Sequence, residues 1–372
     1  LPDEAKAPHD KLPRAVVLGC AGERLTPEEG RLFAAADPLG FILFRRNCRN
    51  RGQLRELVAE LRRCIGRDDA PVLVDQEGGR VARLQPPEWR AYPAAARIAA
   101  LPDPLAAEAA WLGARLIADD LAEVGITVDC APVLDLPVPG ADPVIGDRAF
   151  GDEPARVALL GRAFCEGLLA GGVLPVLKHI PGHGRARVDS HRACPRVETG
   201  RAVLVDSDFA PFRALSTMPW LEPGVMSGPE SGAMPWAMPW AMTGHIVFKA
   251  IDETAPATFS RPVIDTIIRG EIGFHGVLLS DDISMGALDG TLGGRTRRAL
   301  DAGCDLVLHG SGVIDEMSEI IDAAAPLSPA AWAQIAHAEA LRQSRRQDFD
   351  RQAPEVRFAE MFASPDPNRA RA

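Results

Sequence analysis

Val173-Leu174-Pro175-Val176-Leu177-Lys178-His179-Ile180-Pro181-Gly182-His183-Gly184 decides how this chain is built. The apolar run 173–177 is too short for an average helix, and its unbroken apolar character fits a strand buried on both faces. Strands of that kind belong to parallel sheets covered by helices. The run ends on Lys178 and His179, and His183, Asp189 and His191 follow before residue 192. A single histidine is commonly a satisfied core residue. A cluster of three, with a lysine and a carboxylate, at the exit of a buried strand points to a catalytic centre.

Outward from this stretch, short apolar runs at 16–18, 41–44, 72–74, 126–130, 241–243, 277–279 and 305–308 join 174–177 as candidate strands. Helical periodicity covers 27–36, 53–63, 106–124, 156–171, 262–270, 294–302 and 315–324 between them. Thr26-Pro27-Glu28-Glu29 opens the first helix with a capping box and a proline at the first helical position. This alternation predicts an α/β fold, a single-domain (β/α)8 TIM-type barrel over 15–345. An N-terminal extension at 1–14, an inserted loop at 216–240 and a C-terminal tail at 346–372 flank or interrupt it. A doubly wound dinucleotide fold fits less well, because Gly19, Gly22 and Gly30 do not form GxGxxG after the first strand. Polar residues follow the strands: Asp75, Asp135, Lys178, His179, His245, Asp281 and His309. A closed barrel gathers all such strand ends on one rim around one pocket.

Composition narrows the function classes. The chain has 372 residues, 47% hydrophobic and 25% charged, as a globular protein does. A formal net charge of -10, with no long basic run, disfavours nucleic acid as a partner. The first nine residues hold no apolar core of a signal peptide, and no uninterrupted 18-residue apolar segment occurs. No membrane association is therefore expected, and the expected compartment is the cytoplasm. The seven cysteines are scattered and without CxxC or CxxxC pairs, which favours reduced thiols over a disulfide framework or a thiolate zinc site. No cofactor, metal or obligate protein partner is expected.

Two loops carry recognisable chemistry. Asp75-Gln76-Glu77-Gly78-Gly79-Arg80-Val81-Ala82-Arg83 combines carboxylates and arginines, suited to gripping vicinal hydroxyls, with glycines that permit close backbone approach. In Ser280-Asp281-Asp282, side-chain alternation lets only one aspartate face inward; Asp281, nearer the strand, is the expected nucleophile or base. Asp282 is expected to cap the next helix or to support the site. Met-Pro-Trp occurs at 218–220, 234–236 and 238–240, which reads most simply as a local duplication. In a functional alternative, Trp220, Trp236 or Trp240 stacks on a sugar face. The tail from 344 is expected to be a surface helix or a frayed end.

Seven motifs occur in order: LGFILFRRN (39–47), DQEGGRVARL (75–84), APVLDL (131–136), IGDRAFG (145–151), KHIPGHG with DSH (178–191), MTGHIVF (242–248) and SDDISM (280–285). Together, over about residues 15–310, they resemble glycoside hydrolase family 3, and within it the bacterial single-domain β-N-acetylglucosaminidases of peptidoglycan recycling. The resemblance implies that Asp281 forms a covalent glycosyl-enzyme, with His191, oriented by Asp189 on a mobile loop, as general acid/base. It further implies that Asp75, Arg83, Arg148, Lys178 and His179 bind an N-acetylglucosamine unit of muropeptide fragments. The departures are the Met-Pro-Trp insertion, Arg185-Ala186-Arg187 where Asp-Thr-Ser is commoner, and Gly244 for a usual Ala. The first puts the surroundings of His245 in doubt.

The chemistry of the residues agrees with those roles. A retaining glycosidase needs an ionised carboxylate to attack the anomeric carbon and a second group to protonate the leaving oxygen and later deprotonate water. A histidine does both near neutrality if a carboxylate steadies its imidazolium. Using histidine also removes an anion that would repel an incoming phosphate, which leaves phosphorolysis as a variant of the same mechanism. Two rivals differ in class. A metal-dependent hydrolase would use His179, His183 and His191, but Pro181-Gly182 breaks the helical spacing of the first two and no HxH occurs. A sugar-binding barrel without catalysis would need neither Asp281 nor the Asp189–His191 pair.

Overall fold

The computed structural model describes residues 12–217 and 239–363. Eight parallel strands close into a barrel: β1 Arg14–Gly19, β2 Pro38–Leu43, β3 Val72–Val74, β4 Val128–Asp129, β5 Leu174–Ile180, β6 Trp240–Thr243, β7 Val277–Asp282 and β8 Leu306–His309. Each strand pairs with its neighbours in chain order, and β8 closes on β1. Each of the eight candidate strands falls on one of them. Burial on both faces explains why the apolar runs are unbroken: every residue of β2 and β5 is buried between the barrel interior and the outer helices. Gly40 in β2 is obligatory on space, since an added Cβ would lie 2.3 Å from the Pro71 carbonyl oxygen.

The helices follow their sequence signals. Helix Pro27–Ala36 begins with the anticipated capping box, in which Thr26 Oγ1 accepts from the Glu29 N–H at 3.1 Å and Glu29 Oε2 accepts from the Thr26 N–H at 2.9 Å. The 262–270 pattern forms a π-helix, Val263–Glu271, with its isoleucines inward. Helices Ala210–Thr217 and Pro329–Arg345 complete the shell without having been anticipated.

One expectation is corrected here, and the two alternatives for the tail are resolved. Trp240 opens β6 and is 1% exposed, so it serves the core and offers no face to a sugar; Trp220 and Trp236 lie outside the described residues, as does most of the 216–240 loop. The tail forms helix Gln352–Phe362, which is docked rather than frayed: Phe358 and Met361 are buried, and the Phe358 ring sits where a Cβ at Gly113 of helix Asp103–Glu123 would be. Arg351 fastens it by ion pairs to Asp119 and Asp120. Among the described residues no helix is long and apolar enough to cross a membrane.

Two ladder irregularities shape the rim. The β5–β6 register shifts between Lys178 and Ile180, where the Lys178–His179 peptide is cis, and the β7–β8 register shifts between Leu279 and Asp282. A hairpin of Gln76–Gly78 with Val81–Ala82 stands above β3.

Candidate active site

A cavity of about 710 Å³ opens at the carboxyl ends of the strands, large enough for a saccharide. All eight residues anticipated for the site line it: Asp75, Arg83, Arg148, Lys178, His179, Asp189, His191 and Asp281.

Its wall is a lattice of buried charges. Asp75 holds Lys178 Nζ at 2.8 Å with one oxygen and Arg83 Nη2 at 2.8 Å with the other. Lys178 also lies 2.6 Å from Glu77, which grips the Arg148 guanidinium with both oxygens at 2.8 and 2.9 Å. Burial alone would push the Asp75 and Glu77 carboxyls up. The cations win, with Lys178 and Arg83 holding Asp75 below the usual carboxylate range and Lys178 and Arg148 doing the same for Glu77. Burial works against the Lys178 charge too, but Asp75 and Glu77 raise it above its ordinary value. Arg83 Nε is buried without a hydrogen-bond partner. Beneath the lattice, burial pushes Asp129 up to about 8.

A second buried group orients the histidines. Asp135 Oδ2 bonds His179 Nδ1 at 2.7 Å, while Oδ1 accepts the His179 and His183 backbone N–H groups at 3.2 and 2.7 Å. Burial would raise Asp135, yet His179 and these bonds keep it below the usual range. Both ring nitrogens of His183 are buried without a partner. Burial, with His179 beside it, lowers the imidazole to about 4, so this ring is neutral near pH 7. His245 is buried away from the cavity lining, bonded through Nδ1 to Thr258 Oγ1 and through Nε2 to the Asp282 carbonyl.

The exposed pair is different in setting. Asp189 Oδ1 accepts from the His191 backbone N–H at 2.9 Å and lies 2.8 Å from His191 Nδ1, leaving Nε2 for proton exchange. The loop that carries them, expected to be mobile, is docked on the turn after β7: Gly286 and Ala287 donate their N–H groups to the carbonyls of His191 and Ser190. Gly286 permits that approach, since a Cβ there would lie 2.7 Å from the His191 carbonyl oxygen. The turn belongs to the same strand end as Asp281, so the imidazole and this carboxylate are held by one local contact.

Asp281 is half-buried on the cavity wall and accepts the Asp282 N–H at 2.8 Å. Asp282 departs from expectation. It also borders the cavity, because the β7–β8 slip breaks simple alternation, and it caps no helix, the next one starting at Leu292. Its oxygens instead accept the Ser284 N–H and O–H and the Gly310 N–H. Glu77 and Asp135 carry functional contacts that the sequence reading did not assign. Glu77 stands two residues beyond Asp75, and Asp135 had been noted at a strand exit without a role.

A closed parallel barrel whose strand-end cavity presents a fixed carboxylate, an imidazole–carboxylate pair and a charge-locked wall defines a barrel glycosidase. The comparisons give its kind. The glycosyl hydrolase family 3 N terminal domain matches residues 28–221 and 237–339, and the chain belongs to that family. It is 38% identical over 298 residues to a beta-hexosaminidase of Alkalilimnicola ehrlichii, covering 79% of each chain. A beta-hexosaminidase of Neisseria meningitidis serogroup C is 36% identical over 95% of both. Among solved structures, NagZ from Neisseria gonorrhoeae in complex with N-trifluoroacetyl-D-glucosamine superposes with a TM-score of 0.79 at 32% identity, covering 95% of this chain and 99% of that one. The protein is thus a glycoside hydrolase of the β-N-acetylhexosaminidase kind.

Proposed function

We propose that the protein is a retaining exo-β-N-acetylglucosaminidase that removes terminal N-acetylglucosamine from peptidoglycan-derived anhydromuropeptides during cell-wall recycling in the cytoplasm. The observation that carries this reading is the placement of Asp281 and the Asp189–His191 pair on one saccharide-sized cavity. Asp281 attacks the anomeric carbon as the bond to the aglycone oxygen breaks, and the proton on His191 Nε2 passes to that oxygen. His191 then takes a proton from water as the water displaces Asp281, restoring both groups. Asp189 holds the imidazole by Nδ1 and steadies its charge in both steps. Asp75, Arg83, Arg148, Lys178 and His179 bind the sugar hydroxyls and the N-acyl group. The solved relative with a bound N-acylglucosamine supports that choice of sugar, and seven free thiols accord with a reducing compartment.

Trapping with a fluorinated N-acetylglucosamine donor, followed by peptide mass mapping, tests the reading. A label on Asp281 is expected, and a label elsewhere removes the assignment. Asp281→Ala should abolish turnover and leave the melting temperature within a few degrees. Including phosphate in the turnover assay separates hydrolysis from phosphorolysis: release of N-acetylglucosamine 1-phosphate in place of the free sugar would change the named reaction.

A further inference from the structure

We infer that His309 is a positioning residue, an imidazolium clamped between Asp282 and Glu316, which through Asp282 keeps the neighbouring Asp281 ionised. The second half rests on the reading of Asp281 as nucleophile given above.

The Nε2 proton follows from hydrogen-bond bookkeeping at the end of β8, and the second proton from the charge that faces Nδ1. His309 is fully buried; its Nε2 lies 2.8 Å from Ser311 Oγ and 3.3 Å from Glu316 Oε2. A hydroxyl has one proton to give. Ser311 Oγ is 2.5 Å from Glu316 Oε2, and a carboxylate only accepts, so that proton points to Glu316. The hydroxyl oxygen then receives the Val313 N–H at 3.1 Å and, on its other side, His309. Nε2 must therefore carry hydrogen. The remaining nitrogen, Nδ1, has no hydrogen-bond partner and faces Asp282 Oδ1 at 3.7 Å. A bare lone pair there would oppose a carboxylate; an N–H attracts it.

The carboxylate facing Nδ1 agrees. Asp282 accepts from Ser284 and Gly310 on both oxygens, as an ionised carboxylate does. From the turn after β2, Arg46 donates to the carbonyls of Cys20 and Gly310; its positive charge opposes the imidazolium, which leaves the Asp282 and Glu316 carboxylates to hold it. Beyond β1, Cys20 is pushed up to about 12 by burial and stays a neutral thiol.

The consequence falls on the cavity. Asp281 and Asp282 are consecutive and both border it, and two like charges so close favour protonation of one. A cation fixed behind Asp282 offsets that repulsion and leaves Asp281 free to act as an anion.

Two measurements decide. Long-range ¹H–¹⁵N spectra of the wild-type histidine rings at pH 7, with His309 identified by its loss in His309→Gln, should show both ring nitrogens protonated. In the pH profile of kcat/KM on an aryl N-acetyl-β-glucosaminide, the acid limb of His309→Gln should move up by about one pH unit, and that of Glu316→Gln by less, in the same direction. A neutral His309 ring overturns the clamp. An acid limb that stays in place while kcat falls evenly at every pH overturns the link to Asp281. If His309→Gln does not fold, the ring is identified in the wild-type spectra by its shift in Glu316→Gln, and the Glu316→Gln profile still decides. Trapping that labels a residue other than Asp281, with an imidazolium signal intact, sinks the nucleophile reading and spares the clamp.

Discussion

His179 and His191 each meet an aspartate through Nδ1, at 2.7 and 2.8 Å, yet the first side chain is 8% exposed and the second 64%. The bond is the same; the solvent is not. Asp135, fully buried beside His179, is stabilised by two backbone N–H groups as well as the imidazole, so the pair is locked in one geometry. Asp189 and His191 lie on a loop docked against the turn after β7, with the imidazole largely in water and the carboxylate partly so. Burial thus divides one chemical motif into a rigid buried pair and an exposed one, which on the proposed reading position the sugar and exchange the proton respectively.

The contrast can be broken most severely at the exposed pair. His191→Ala should lower kcat/KM on a poor leaving group by roughly a hundred- to ten-thousand-fold and on an activated aryl glycoside far less, without changing the melting temperature. Equal losses on both substrates would remove His191 as the leaving-group acid. Asp135→Ala should do the reverse in kind. Removing one partner of a buried pair should cost about 3–5 kcal/mol of stability, read as a fall in denaturation midpoint with turnover lost alongside. An unchanged midpoint would show that the buried pair is not a structural lock.

Acid titration sharpens the comparison further. His183 is lowered to about 4 by burial and by His179, so between roughly pH 6.5 and 4 the unfolded chain takes up a proton that the folded one refuses. Its contribution is complete above that window and is lost as pH falls, at up to about 1.4 kcal/mol per pH unit, and His183→Asn should flatten the slope. Asp75, Glu77 and Asp135 are held below the usual carboxylate range, so their contribution is lost only at still lower pH. The smallest effect is expected at Gly244, where an added Cβ would lie 3.3 Å from His179 Cβ and from His183 Cδ2. Gly244→Ala should change kcat/KM by no more than about threefold, since neighbours need to give by only a few tenths of an ångström.

The barrel was legible because its strands are apolar on both faces while their exits are not; 173–177 ending on Lys178-His179 shows both properties in one stretch. The same rule placed Asp75, Lys178, His179 and Asp281 on the cavity, whereas Arg83, Arg148, Asp189 and His191 followed from the resemblance, and Asp135, His245 and His309, which the rule also names, lie outside the lining. It failed where geometry departs from simple period two. Simple alternation points Asp282 away from the cavity, but the ladder slips between Leu279 and Asp282, so the rule does not carry across it. Glu77 was passed over because its partner, Arg148, is 71 residues distant and only the closed rim brings them together. Trp240 looked like part of a repeat in an inserted loop, although its neighbours 241–243 already read as strand and the indole belongs to that strand. The docking of 352–362 depends on a gap at Gly113 that no local pattern announces.

The Asp75–Lys178–Glu77–Arg148 lattice, closed by Arg83, has a practical corollary for inhibitor work. Asp75, Glu77, Lys178 and Arg148 keep their charges between about pH 5 and 9, because each is shifted away from that interval. On the proposed sugar contacts, an uncharged sugar mimic should change its dissociation constant within that interval only where Asp129, beneath the lattice and pushed up to about 8 by burial, titrates, while the catalytic rate rises and falls, so potency and turnover would be partly uncoupled by buffer alone.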